Sequence, residues 1–365
     1  MDRKLASIQK IVSIDPIPDA DAIEKATVLG WECVVAKKEN FKVNDLVVYI
    51  EVDSIVPPKP EFEFLRDRKF RIKTIKLRKT LSQGLIMPLS ILSSKNYNEG
   101  DDITEVLGII KYDPQGDKER SENERKLALS KNRITRYFSR YSWFRNMFSF
   151  LQPKKQGFPK FIKKTDEDRI QLFPHICENE ADTTFQVTEK IDGQSLTAFL
   201  VKKPKRFWQK QNYEFGVCSR NLLLKKPNDS SWWTVAKKYD LENVLKKLIG
   251  DKDFVALQGE VLGEGIQGNK YKITGYDLYI FNLIYPDGLV NSVDARNILK
   301  DYGLKFVPIL DTNFKLKPTI SENVDYAKGK SVLLDILREG VVLRCYDKSL
   351  SFKIINPEFL LKFDE

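Results

Sequence analysis

The sequence is poor in the residues that most often carry metal and acid–base chemistry. Its 365 residues include one histidine, His175, and four cysteines, Cys33, Cys177, Cys218 and Cys345. A single histidine excludes a multi-histidine metal site and most histidine-based nucleophile schemes, so His175 is expected in a structural or turn role. The cysteines are far apart and show no metal-ligand spacing. They are expected as reduced, mostly buried thiols of an intracellular protein. No apolar run is long enough to span a bilayer, and Met1-Asp2-Arg3-Lys4 is not followed by the apolar core of a secretory signal. A membrane partner is therefore not expected. Internal repeats and low-complexity segments are absent as well.

Positive charge is abundant. A net charge of +10 implies a polyanionic partner. A hydrophobic content of 42% with 11% aromatics supports packed cores, and the length allows two domains with a connecting segment. Between Lys131 and Lys164 there are ten Lys/Arg and no acidic residue, interleaved with aromatics such as Tyr137, Tyr141, Trp143 and Phe161. That mixture suits a nucleic-acid backbone with bases to stack on. A basic helix whose aromatics pack on a neighbouring domain is the competing account.

Residues 4–112 read as a compact β domain. Short apolar runs (Ala6–Ile14, Ala26–Val35, Asp45–Ile55, Arg71–Leu77, Gly84–Leu89) alternate with turn signals such as Pro57-Pro58. Five short strands at this spacing fit a small Greek-key barrel of the OB type. The strand-like segment Arg66–Lys79 holds eight basic residues and one acid, Asp67. On such a barrel, Arg71, Lys73, Lys76, Arg78 and Lys79 would form a polynucleotide-binding face; lysines guarding an edge strand are the alternative. Residues 113–156 read as one or two charged helices. From Phe158 the pattern turns mixed α/β. Strands are expected through Lys190, Phe215–Ser219, Phe254–Leu262, Tyr276–Tyr285, Val341–Tyr346 and Leu350–Ile355. Helices are expected at Ser231–Leu248 and in Asp294–Tyr302, the latter capped near Ser292.

The chain is organised around Thr188-Glu189-Lys190-Ile191-Asp192-Gly193. A lysine on a buried strand edge is costly unless its amine is needed. An amine that attacks an electrophile must first lose its proton. Asp192 can hold a metal or orient a substrate, and Gly193 permits a turn and close backbone approach. Lys-x-Asp-Gly alone is a weak signal with three fixed positions.

Later stretches add the specificity. Ser219-Arg220-Asn221, Gln258-Gly259-Glu260, Tyr279-Ile280-Phe281, Arg338-Glu339-Gly340-Val341-Val342 and Ser351-Phe352-Lys353 follow in order. With the Lys190 stretch they resemble motifs I, Ia, III, IIIa, IV and V of the covalent nucleotidyltransferases: DNA ligases, RNA ligases and capping enzymes. The loop Gly263-Glu264-Gly265-Ile266-Gln267-Gly268-Asn269 resembles one found in RNA ligases. No helical pattern follows it, which argues against a dinucleotide fingerprint. Twelve residues follow Lys353 and the β domain comes first. That order is similar to the fifth family of ATP-dependent RNA ligases.

The resemblance implies an α+β protein: an N-terminal OB-like β-barrel (1–112), a basic helical linker (113–156) and a C-terminal ATP-grasp-like nucleotidyltransferase domain (157–365). It implies that Lys190 attacks the α-phosphate of ATP, with Glu339 first and Asp192 second as ligands of Mg²⁺ or Mn²⁺. Glu189, Lys190, Arg220, Glu260, Phe281 and Lys353 would bind the nucleotide. Phe281 would stack on adenine and Lys353 would contact the α-phosphate. The partners would be RNA 3′-OH and 5′-phosphate ends, with RNA–DNA hybrid ends open and a monomer as the default. At the second lysine position of motif V this chain has Ile355, and Lys362 is left unassigned. A capping-type guanylyltransferase, a DNA ligase and a non-catalytic RNA-binding protein of the same fold stay open as alternatives.

Overall fold

Apolar side chains of paired strands build the cores of the molecule, and central strands such as Gly340–Cys345 are buried on both faces. The computed structural model describes residues 4–93, 96–112, 137, 141, 143, 157–164, 167–205, 211–224 and 229–363. Two compact units divide at Lys155/Gln156. Most of the expected linker and of its basic-aromatic run lies outside the described residues.

In the N-terminal unit a five-stranded sheet runs in the order Trp31–Ala36, Ile23–Val28, Ala6–Pro16, Leu46–Ile50, Leu85–Pro88. The long first strand pairs on both sides and bends at a bulge whose extra residue, Val12, is exposed. Such a bulge lets one strand serve both halves of a curled sheet. Ile8, Val48, Ile50, Phe62 and Ile103 are fully or almost fully buried inside the curl. The expected strand Ala26–Val35 is instead a hairpin. The chain reverses at Leu29-Gly30, with Leu29 at φ 53°.

The expected basic strand Arg66–Lys79 is also corrected. It comprises the end of a 3-10 helix (Pro60–Arg68), a turn at Lys69-Phe70, and the hairpin Thr74–Leu77/Thr80–Gln83. Its cations do not share one face. Arg71 pairs with Asp53 at 2.8 Å and lies 3.7 Å over the Tyr112 ring, so its guanidinium is committed to packing. Lys73 is partly buried, whereas Lys76, Arg78 and Lys79 are exposed.

The C-terminal unit contains two sheets. One has four strands, in the order Ile309–Lys315, Thr184–Lys190, Gly340–Cys345, Leu350–Ile355. The other is larger, centred on Gln194–Lys202, Phe254–Gly263 and Tyr276–Tyr285. In the first, Phe185, Val187, Val341, Leu343, Phe352 and Ile354 form the buried face. In the second, Leu196, Ala198, Leu200, Val255, Leu257 and Ile280 pack against helices on the outer side. The expected helix Ser231–Leu248 is two helices, Ser231–Lys238 and Leu241–Leu248. Asp240 at φ 47° breaks it. The helix Ser292–Lys300 is capped by Asn291, whose side chain accepts the Asp294 amide at 3.0 Å. All four cysteines are free and buried. Among the described residues no helix is long and apolar enough to cross a membrane.

Phe352 is fully buried, with its ring 5.4 Å from that of Phe185. Phe352→Ala is expected to cost about 3–5 kcal/mol. Urea unfolding of the full chain would read this as an earlier transition of the C-terminal unit.

Candidate active site

Lys190 ends the strand that crosses from the first sheet towards the second. Antiparallel pairing sets Lys190 opposite Gly340, which puts Glu339 beside the lysine. The Lys190 Nζ donates to the Glu339 carboxylate at 2.7 Å. Gly340 is required there, because a Cβ would lie 2.2 Å from the Ile354 carbonyl oxygen. After Ile191 and Asp192 the chain enters the second sheet at Gly193. A Cβ at Gly193 would meet the Val261 carbonyl at 2.6 Å and Glu260 Cγ at 2.9 Å. The two glycines therefore let the Lys190, Glu339 and Glu260 stretches close up on one another.

The period of two along each strand sorts the side chains. Thr188, Val342, Arg344 and Lys353 share the face of the first sheet that carries Lys190. Glu189 points the other way. Its buried carboxylate accepts the Val332 amide at 2.9 Å, and burial raises its pKa despite that bond. The Glu189 side chain thus pins the 331–333 loop. On the second sheet Glu260, Gln258, Thr197 and Ser195 share one face. Arg220 is exposed just past the Tyr213–Cys218 strand, and its charge acts on Glu260. Phe281 is the extra residue of a bulge between Asn282 and Ile280, partly buried against Ile191 and Tyr271.

Burial works to lower the Lys190 pKa, but Glu339, Glu260 and Asp192 outweigh it and hold the amine above the ordinary lysine range. Glu260 is pushed up to about 8, first by burial and then by Glu339 and Asp192, with Lys190 and Arg220 opposing. The Asp192 carboxylate accepts from Lys270, whose ammonium also lies 5.1 and 4.9 Å from the Phe359 and Phe363 ring centroids. The Asp192 amide donates to the Tyr271 hydroxyl at 3.2 Å. The Lys353 amide donates to the Asp168 carbonyl at 2.8 Å, and its charge acts on Glu167. Burial raises the Glu167 pKa, but Arg344 at 2.8 Å and Lys353 more than compensate and hold it low. Lys270, Tyr271, Arg344 and the buried Arg169, whose backbone forms a β-bridge with Lys353, are given no site role by the sequence, and Glu167 reads there only as the end of the Phe158–Glu167 stretch that resembles RNA ligases. Only the adjacency of Lys270-Tyr271 to the glycine-rich loop hinted at the others. That loop holds a three-residue 3-10 turn, Gln267–Asn269, and no phosphate-cradling helix.

Among the described residues no cluster of three or more His, Cys, Asp or Glu forms a metal cage. The donors present, Asp192 and Glu339, are hard carboxylate oxygens already engaged by lysines. They suit a magnesium-like ion that shares its shell with phosphate and water, and they do not suit zinc.

Comparison with known proteins agrees with this geometry. An OB-fold domain model matches residues 5–89 and an RNA ligase model matches residues 183–359. The RNA ligase of Naegleria gruberi solved with pyrophosphate superposes with a TM-score of 0.77 at 32% identity, covering 98% of each chain. A substituted form of that enzyme with AMP and manganese gives a TM-score of 0.76 at 33% identity over 98% of each chain. Another, with ATP and manganese, gives 0.76 at 32%, covering 99% of this chain and 98% of that one. No curated protein sequence matches the chain. An OB unit joined to a lysine-centred nucleotidyltransferase unit defines the class, that of the covalent nucleotidyltransferases. Within it, the chain belongs to the RNA ligase family. It is an enzyme, and the capping, DNA-ligase and non-catalytic readings are not favoured.

The raised Glu260 pKa has a sign that can be measured. Between about pH 4.5, where free glutamate ionises, and about 8, the folded metal-free protein keeps a proton that the unfolded chain has lost. Stability therefore falls as pH rises through that window. Glu260→Gln is expected to flatten this fall in thermal unfolding with chelator present; a slope equal to wild type would contradict the raised pKa.

Proposed function

We propose that this protein joins RNA 3′-OH and 5′-phosphate ends with ATP, through Lys190. The observation that carries the reading is the Lys190 Nζ held 2.7 Å from Glu339, on one sheet face with Lys353 and within the fields of Glu260 and Asp192. The Naegleria enzyme bound to ATP or AMP with manganese supports ATP and a divalent ion as cofactors, Mn²⁺ or Mg²⁺. Asp192 and Glu339 would hold the ion, which supplies charge neutralisation at the phosphates.

The chain's own residues account for the covalent steps. Lys190 loses a proton, its nitrogen forms a bond to the α-phosphorus, and the bond to the β-phosphate oxygen breaks to release pyrophosphate. Lys353 would meet the α-phosphate, Arg220 and Glu260 would meet ribose hydroxyls or the RNA 5′-phosphate, and Phe281 would stack on adenine. A 5′-phosphate oxygen of RNA then attacks the same phosphorus, the P–N bond breaks, and Lys190 recovers its amine. Finally a 3′-OH oxygen attacks the activated 5′-phosphorus and AMP leaves. Exposed cations of the Arg66–Lys79 segment of the OB unit would grip the RNA backbone. A monomer is the default assembly for this reading. Buried free cysteines fit an intracellular setting. RNA–DNA hybrid ends would serve the same chemistry, and a strand panel assigns which end must be RNA.

Incubation with α-labelled ATP and Mn²⁺ or Mg²⁺, followed by a denaturing gel, is expected to label the wild-type protein. Lys190→Ala and chelator-treated protein should carry no label. Labelled GTP run in parallel should leave the protein unlabelled; label from GTP would overturn ATP specificity. Joining of a nicked RNA duplex then tests the later steps.

A further inference from the structure

We infer that the two-residue turn Arg78-Lys79 is a strained phosphate clamp, and that this tip, with Lys76, rather than the whole Arg66–Lys79 segment, contacts the RNA backbone. The inference rests on the RNA-joining reading and narrows its nucleic-acid surface. Leu77 pairs directly with Thr80, so Arg78 and Lys79 form the entire loop of the hairpin. Both have positive φ, 45° and 66°. This is the turn that matches strand twist, and it normally takes Asn-Gly because a Cβ is disfavoured there. Among the described residues the only consecutive non-glycine pairs with positive φ are this one and Lys69-Phe70. Two long cations occupy positions where the backbone prefers small residues, and strain retained in this way points to function.

Charge pairing takes Arg66 and Arg71 out of this surface; Arg68 and Lys69 are exposed as well, but they sit at the end of the Pro60–Arg68 helix and not on the hairpin. Arg66 is engaged by Glu63, and Arg71 by Asp53 and the Tyr112 ring. Lys76, Arg78 and Lys79 are exposed, and among the described residues no carboxylate pairs with them. Exposed Leu77 lies between them. Several unneutralised cations around one tip suit a run of phosphates, and the +10 chain favours a polyanion over an acidic protein patch.

The test pairs two double variants of the full chain. Arg78→Asn/Lys79→Gly removes the charges and relieves the turn. Arg78→Gln/Lys79→Gln removes the charges and keeps the strain. Binding of a fluorescent nicked RNA duplex is measured without ATP between about 50 and 200 mM salt. Both variants should bind more weakly, with the salt slope reduced by about 1.8 for two lost phosphate contacts. Only the Asn-Gly variant should gain thermal midpoint, by about 2–4 °C. Lysyl-AMP formation should stay at the wild-type rate in both. Unchanged affinity and slope would remove the tip from the RNA surface. A midpoint that fails to rise would remove the strain argument. A wild-type protein that forms no lysyl-AMP would sink the enzymatic reading while leaving this binding result to stand by itself.

Discussion

The contact on which the rest of the active unit depends is the ion pair between Lys190 and Glu339. Strand pairing of Lys190 with Gly340 brings its two partners together from positions far apart in the chain. The pairing tolerates no side chain at 340, since the next strand's Ile354 carbonyl occupies the space. The buried side of that strand trio, Phe185, Leu343 and Phe352, holds the register, because a one-residue slip would turn every polar side chain into the core. The same slip would exchange Lys190 for Glu189. Core packing and site assembly are therefore one constraint: the apolar residues fix which face the lysine occupies, and the glycines fix how close the carboxylates come.

Much of this was legible in the sequence because strands announce their faces. Leu350–Ile355 and Tyr276–Tyr285 have the bounds their alternation suggests. Their register then carried Lys353 to the Lys190 face. The failures have local causes. Ser231–Leu248 keeps an apolar stripe across a break made by a single left-handed Asp240, which periodicity does not sense. Ala26–Val35 hides a reversal at Leu29, a residue with no turn propensity. Ile320–Ala327 was missed although Thr319 and Glu322 spell a capping box. The Glu189 side chain lies on the face opposite Thr188 and Lys190, where it holds the Val332 amide. Lys270 and Arg344 could not be found from spacing, since each reaches its carboxylate partner from a distant part of the chain.

The charges around the nucleophile explain how so many ionisable groups share a partly buried space. Asp192 is matched by Lys270, and Glu339 by Lys190. Glu260 has no lysine of its own and instead holds its proton up to about pH 8. Near neutrality these five groups sum to about zero, which keeps the desolvation cost tolerable. A nucleotide adds several negative charges, and attraction must come from outside this balanced set. Lys353 lies beside it on the same face, and Arg220 on the neighbouring rim is exposed. Under the proposed function, the inner pairs would hold Lys190 as an ammonium among its carboxylates, while the outer cations would recruit the phosphate. In that reading the Lys190 ammonium must give up its proton before it can bond to phosphorus, so the ion pair that assembles the site would also be the one the first chemical step undoes.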